Sequence, residues 1–256
     1  MKKARVLLVT PNLKVNEGEL SRMQPSLGLM IFAQMLIDQG HKVKICDFAL
    51  DGWNTRRIID PVNKFISIGQ TDDEIEGVIS NISPDIVAIS VLYSTLLDSA
   101  KNIARITKKI NKKITVVIGG NCVSNAVVDY QFSLTDKNSN LPDFITHFDD
   151  KNFDFAITGE AEFSFVRFVD AIVNNKETKL IPGLIKKIGE KKYRINPPQR
   201  INDLNTLPRP ARHLVNMEGY FKIGQFHSSK PRSKRVLSVM CSRGCPEKCT
   251  FCTTPE

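Results

Sequence analysis

Ile86-Val87-Ala88-Ile89-Ser90-Val91 is an apolar run interrupted by one serine and introduced by Pro84-Asp85. It lacks the in-out alternation of a half-exposed strand, which is the pattern of a strand covered on both faces. The flanking segments Asp72–Asn81 and Leu96–Ile110 carry apolar residues at helical spacing. Toward the N-terminus, Val6–Thr10 is a β-rich run ending in Pro11-Asn12, Leu27–Gln39 is a helix stopped by Gly40, and Val43–Cys46 is a second strand. Toward the C-terminus, Thr115–Ile118 is a strand ending in Gly119-Gly120, Phe155–Ile157 a shorter one ending in Gly159-Glu160, and Phe163–Val173 a helix. Strand and helix alternate with short loops, so the fold class is α/β with a doubly wound parallel sheet. Ligands of such sheets lie beyond the carboxyl ends of the strands. The polar stretch Tyr130–Asn152 is long for a connection and reads as an insertion that covers the ligand.

From Ile181 the texture changes to an extended, proline-rich linker with a hairpin around Lys186–Arg194, then Pro197-Pro198 and Leu207-Pro208-Arg209-Pro210. Val236–Met240 reads as a strand leading into a cysteine cluster. The expected organisation is therefore a sheet domain over 1–180, a linker over 181–234 and a further unit starting at 235–256.

At 256 residues and 41% hydrophobic, the chain can bury a real core. No apolar run reaches the roughly 18 residues of a membrane span, and the N-terminal run is too short for a signal peptide, so a cytoplasmic location is expected. The net charge of +9 suits nucleic acid, anionic lipid or a phosphate-bearing ligand. The basic run Lys230–Arg235 reads as solvated surface, so a nucleic-acid partner is not expected. His41 follows the helix-ending glycine and reads as a surface residue.

Of six cysteines, Cys46 and Cys122 stand apart in apolar surroundings, while Cys241, Cys245, Cys249 and Cys252 crowd together, which points to metal rather than disulfides. Cys245, Cys249 and Cys252 have the spacing C-x3-C-x2-C. Three thiolates on one loop hold three irons of a four-iron cluster and leave the fourth iron open for chemistry. The alternative is a closed zinc site with Cys241 as the fourth thiolate, although zinc ligands usually come as two separated pairs.

Arg243-Gly244-Cys245-Pro246, followed by Cys249, Phe251 and Cys252, resembles the first strand and cluster loop of the radical S-adenosylmethionine (SAM) superfamily. The resemblance implies a [4Fe-4S] cluster on Cys245, Cys249 and Cys252, with SAM on the open iron and Phe251 near its adenine. It also implies reductive cleavage of SAM to a 5′-deoxyadenosyl radical, with an electron donor such as a flavodoxin or ferredoxin. The stretches Leu7–Asn12, Pro25–Leu29, Gly40–Val43, Pro84–Ser90, Val116–Gly120 and Thr158–Glu162 resemble the Rossmann-like cobalamin-binding domain found ahead of many radical SAM barrels. A flat corrinoid with amide arms needs close backbone and small donors at strand ends. Gly119, Gly120 and Gly159 offer the first, Ser90, Ser94 and Thr95 the second, and Glu160 completes the set. No D-x-H-x-x-G motif occurs, so no protein histidine is expected under cobalt; Asp143–His147 has the wrong spacing.

The resemblance further implies that the chain is the front part of a longer enzyme, inactive by itself. That enzyme would act on a small-molecule substrate by methyl transfer or by radical cyclisation or rearrangement. Two other classes are weighed beside it. One is a non-catalytic corrinoid-binding module or carrier. The other is a tRNA-modifying methylthiotransferase, whose front domain carries three cluster cysteines where only Cys46 and Cys122 are available here.

Overall fold

The computed structural model describes residues 2–19, 22–135, 148–190, 192–224, 233, 235–247 and 249. Its main sheet contains β1 (Arg5–Thr10), β3 (Lys42–Asp47), β6 (Ile86–Ser90), β7 (Thr115–Gly119), β8 (Phe155–Ile157), β9 (Leu184–Gly189) and β10 (Lys192–Ile195). A smaller antiparallel sheet joins β2 (Leu13–Asn16), β4 (Arg56–Asp60) and β5 (Phe65–Ile68) in the order β2-β5-β4. The helices are α1 (Leu27–Asp38), α2 (Phe48–Asp51), α3 (Asp72–Ile82), α4 (Leu97–Ile110), α5 (Asn121–Thr135), α6 (Glu162–Val173) and α7 (Met217–Ile223).

The main sheet runs β10-β9-β8-β7-β6-β1-β3. Strands β3, β1, β6, β7 and β8 are parallel, and β8–β9 and β9–β10 are antiparallel. Alternating residues of the apolar strands feed two cores. Leu7, Val9, Val87, Ile89, Val116 and Ile118 face α3, α4 and α5, whereas Val6, Leu8, Ile86, Ala88 and Val117 face α1 and α6. Burial on both faces is why these strands lack polar alternation. The chain order reverses between β1 and β6, since β3 lies to one side of β1 and the later strands to the other. That reversal creates a crevice beyond the carboxyl ends of β1 and β6.

The doubly wound sheet expected from the sequence is present, mostly parallel, with several local differences. The hairpin expected in the linker forms as β9 and β10 and continues the main sheet, because β9 finds an unpaired edge in β8. The expected insertion over Tyr130–Asn152 begins within α5, whose stripe Val123, Ala126, Val127 and Tyr130 packs on the core. Residues 136–147, with Asp143–His147, lie outside the described residues, and Phe148 is again buried. His41 is a correction: it is buried, and its Nδ1 accepts from the Ala4 N–H at 3.0 Å. Burial, then the Lys3 ammonium, lowers its pKa, which favours the neutral ring that this bond requires. The expected strand Val236–Met240 is likewise corrected. The segment has no strand pairing, having no neighbouring strand to bond among the described residues.

The approach to the cysteine cluster is anchored on this fold through α7. Asp47, at the end of β3, caps α2 by accepting from the Ala49 and Leu50 N–H groups at 3.1 and 3.0 Å, and also accepts from the Tyr220 hydroxyl at 2.6 Å. Met23, Ala49, Leu50 and Tyr220 close around this contact. Burial pushes the Asp47 carboxyl up to about 6, against the pull of its hydrogen bonds, and burial beside Asp47 raises Tyr220. A carboxyl whose pKa is raised on folding contributes stability at low pH that is lost as the pH climbs through the folded value. The stability of wild type minus that of Asp47→Asn should therefore fall by roughly 1–3 kcal/mol between pH about 4 and pH about 7. Urea denaturation across that range measures the difference, and a pH-independent difference would show that the carboxyl is not desolvated.

Candidate functional site

A cavity of about 1100 Å³ lies at the carboxyl end of the sheet. Its floor is made by Thr10 of β1, Ala88, Ile89 and Ser90 of β6, Val117–Gly119 of β7 and Ile157 of β8. One side is the N-terminal end of α1, from Pro25 to Leu29 with Phe32; another is the turn Gly159–Glu162 with Phe165. The remaining wall is the segment 236–244, which enters the cysteine cluster. The cavity therefore occupies the crevice at the reversal of strand order and is bounded by the cysteine-bearing segment. Its volume is at or above the upper end of ordinary small-molecule pockets, about 300–1,000 Å³.

Two glycines allow tight backbone packing at the strand ends, where a Cβ would meet neighbouring protein atoms rather than the cavity. Gly120 has φ +105°, and a Cβ there would lie 2.6 Å from the Val91 carbonyl oxygen. Gly159 has φ +75°, and its Cβ would meet Pro198 Cβ at 2.5 Å. Both positions exclude a side chain on conformation as well as on space. The Gly159 turn is further fixed by its N–H, which donates to Ser124 Oγ at 3.0 Å. Ser90, Gly119, Gly120, Gly159 and Glu160 thus come together around one cavity. Ser94 and Thr95 do not join them: they sit exposed on the 3-10 turn Ser94–Leu96, while Leu92 and Leu96 line the cavity.

The wall 236–244 is tied down by side chains. Arg212 Nη2 donates to the Ser238 carbonyl at 2.8 Å, and Ser238 Oγ donates to Gln24 Oε1 at 3.0 Å. Arg235 pairs with Glu218 of α7 at 2.5 Å and stacks over the Phe221 ring. Arg243 pairs with Glu162 at 2.5 Å and reaches Glu160 at 3.5 Å. Glu160 also accepts from the Ile201 N–H at 2.6 Å. Burial pulls the Arg243 guanidinium down, but the Glu162 and Glu160 carboxylates outweigh it and move its pKa upward. Sequence reasoning missed Arg243, Glu162 and Gln24 as parts of the site. The visible signal was Glu160-Ala161-Glu162, two carboxylates at a strand end, with a lone arginine before Gly244.

The cavity fits a large, flat, amide-bearing group. It combines strand-end backbone at Gly119, Gly120 and Gly159, the hydroxyl-bearing Thr10 and Ser90, and the amide-bearing Gln24 and Asn121. Among the described cysteines, Cys245 is half-buried and Cys241 and Cys249 are exposed, all outside any disulfide. Cys252 and Phe251 lie outside the described residues. Cys46 is buried on β3 and burial pushes its thiol up to about 11, the opposite of a ligand thiolate. Burial also raises the half-buried Cys122. No described helix is long and apolar enough to cross a membrane.

A family model described as the B12 binding domain matches residues 18–136. The chain is 27% identical over 98% of its length to the cytidylyl-2-hydroxyethylphosphonate methyltransferase of Streptomyces wedmorensis, covering 48% of that protein. It is 30% identical over 99% of its length to an uncharacterized methyltransferase of Pyrococcus horikoshii, covering 46% of it. The chain thus spans about half the length of these curated relatives. In fold it is similar to the radical SAM methyltransferase TsrM from Kitasatospora setae, solved with cobalamin and a [4Fe-4S] cluster bound. The TM-score is 0.61 at 17% identity, over 100% of this chain and 42% of that one.

The glycine cradle carries a direct test. Gly120→Ala should lower stability by on the order of 1–3 kcal/mol. Gly28→Ala, with nothing within 4 Å of the added Cβ, should be neutral or slightly stabilising. Thermal denaturation of both variants checks this, and equal effects would contradict the cradle geometry.

Proposed function

We propose that this chain, whose residues 18–136 match the B12 binding domain and whose curated relatives are methyltransferases, is the corrinoid- and cluster-binding part of a cobalamin-dependent radical SAM methyltransferase. The observation that carries the reading is the shared wall: the cavity at the sheet's carboxyl end is closed by the segment that runs into Cys241–Cys252. A group held in that cavity lies against the cysteine-bearing chain, as a reaction using both cofactors requires.

In this reading residues 1–180 form the corrinoid domain, with the hairpin Leu184–Ile195 extending its sheet, 181–234 the connection, and 235–256 the start of the radical SAM unit. The strand ends at Gly119, Gly120 and Gly159 would hold the corrinoid, and Ser90, Thr10, Gln24 and Asn121 would offer hydrogen bonds to its amide arms. Among the described residues, His41 is turned into the fold and neither it nor His213 lines the cavity; His147 and His227 lie outside the described residues. Cys245, Cys249 and Cys252 are the cluster thiolates by their spacing, with Phe251 beside SAM. When bound, the corrinoid supplies a transferable methyl group, and the cluster supplies the electron that cleaves SAM. The chain's own work would be to hold the corrinoid at the strand ends and to exclude water with Leu92, Leu96, Phe32 and Phe165. The substrate is a small molecule, and the reductant a low-potential protein donor of the flavodoxin or ferredoxin kind.

Anaerobic reconstitution with iron, sulfide and hydroxocobalamin tests the reading, using this chain and a variant in which Cys245, Cys249 and Cys252 are all alanine. The expected result is corrinoid retained by both proteins and iron and sulfide by the parent alone. Corrinoid retained with no cluster in the parent would favour a non-catalytic carrier, and loss of corrinoid from both would remove the assignment.

A further inference from the structure

The segment 236–244 forms one wall of the cavity, yet among the described residues no backbone–backbone hydrogen bond ties it to the sheet domain. Its position rests on side chains. The Arg235–Glu218 pair is about two-thirds exposed on both partners, and exposed pairs are worth about 0–1 kcal/mol. The Ser238–Gln24 bond is also exposed, and the part-buried bond from Arg212 to the Ser238 carbonyl holds the middle of the segment, five residues from Arg243. The Arg243–Glu162 pair differs: the Glu162 side chain is 6% exposed and that of Arg243 18%. A carboxylate buried to that degree needs its partner, because removing one member leaves an uncompensated buried charge. Glu162 opens α6 at the end of the β8 turn, and Arg243 stands two residues before Cys245. Glu160 strengthens the contact by joining Arg243 to the Ile201 backbone.

We propose that Arg243 and Glu162 form the latch that holds the cysteine-bearing segment shut over the cavity, making Arg243 a positioning residue for both the corrinoid wall and Cys245. The corrinoid half of this inference rests on the function proposed above, and the latch itself does not. With the latch closed, the wall is formed before any ligand arrives. With it open, a ligand must also pull the segment back, which lowers its apparent affinity by the fraction of closed molecules. Removing Arg243 and removing Glu162 then have the same consequence, and removing both adds nothing.

The test uses the full, metal-free, reduced chain as wild type, R243K, R243Q, E162Q and the double variant R243Q/E162Q. Iodoacetamide alkylation of each cysteine is followed by peptide mass spectrometry. Exposed Cys241 serves as the rate reference, and buried Cys46, unmodified while the sheet stays folded, as the fold control. Without ligand, Cys245 should react at least about fivefold faster relative to Cys241 in R243Q, E162Q and the double variant, with R243K in between. The dissociation constant for cyanocobalamin should rise by at least about fivefold in each, and no further in the double variant. The double variant carries no unpaired buried charge, so it remains decisive if R243Q alone unfolds. An unchanged Cys245 rate in the folded double variant would overturn the latch. A parent chain that fails to bind cyanocobalamin would overturn the corrinoid reading, while the alkylation rates still decide the latch.

Discussion

Burial of the central strands on both faces is the constraint from which the rest follows. Val6 to Val9 and Ile86 to Ile89 are all 6% exposed or less, so neither face of the sheet has room for a ligand. Helices α1 and α6 close one face and α3, α4 and α5 the other. Only the strand ends remain, and the reversal between β1 and β6 opens the carboxyl end where Thr10 and Ser90 emerge. Burial of both faces leaves the strand ends for a ligand, and the reversal of strand order favours the carboxyl end.

Two buried carboxylates then decide how the C-terminal half is attached to that rim. Asp47 receives the Tyr220 hydroxyl and so docks α7. Glu162 receives Arg243 and so docks the approach to Cys245. They are electrically different solutions to one problem. Asp47 is satisfied by neutral donors, and burial raises its pKa; Glu162 is matched by a full positive charge. The first anchor therefore weakens as the pH rises through about 6, whereas the second is an ion pair whose strength depends on the guanidinium staying in place.

Much of this was legible in the sequence, for identifiable reasons. The main strands could be read as short unbroken apolar runs, α1, α3, α4 and α6 by apolar residues at helical spacing, and the cavity floor because its glycines sit at strand ends. The small sheet escaped because Leu13–Asn16 and Arg56–Asp60 are short, charged and stabilised by pairing with Phe65–Ile68 rather than by their own pattern. The start of α5 was hidden by Asn121, Ser124 and Asn125, polar residues that interrupt its apolar pattern. His41 was misjudged because its partner, the Ala4 N–H just ahead of β1, lies 37 residues away, where no local pattern announces it. The pairing of Arg243 with Glu162 spans 81 residues, a separation at which no local pattern carries information.

The central claim is that a corrinoid lies between the strand ends and the segment 236–244. A crystal structure of this chain with hydroxocobalamin bound tests it most directly. The account requires the corrin ring against Gly119, Gly120 and Gly159, with the cysteine-bearing segment across its other face and no histidine at cobalt. A corrin bound elsewhere on the molecule, or a histidine on the metal, would contradict it.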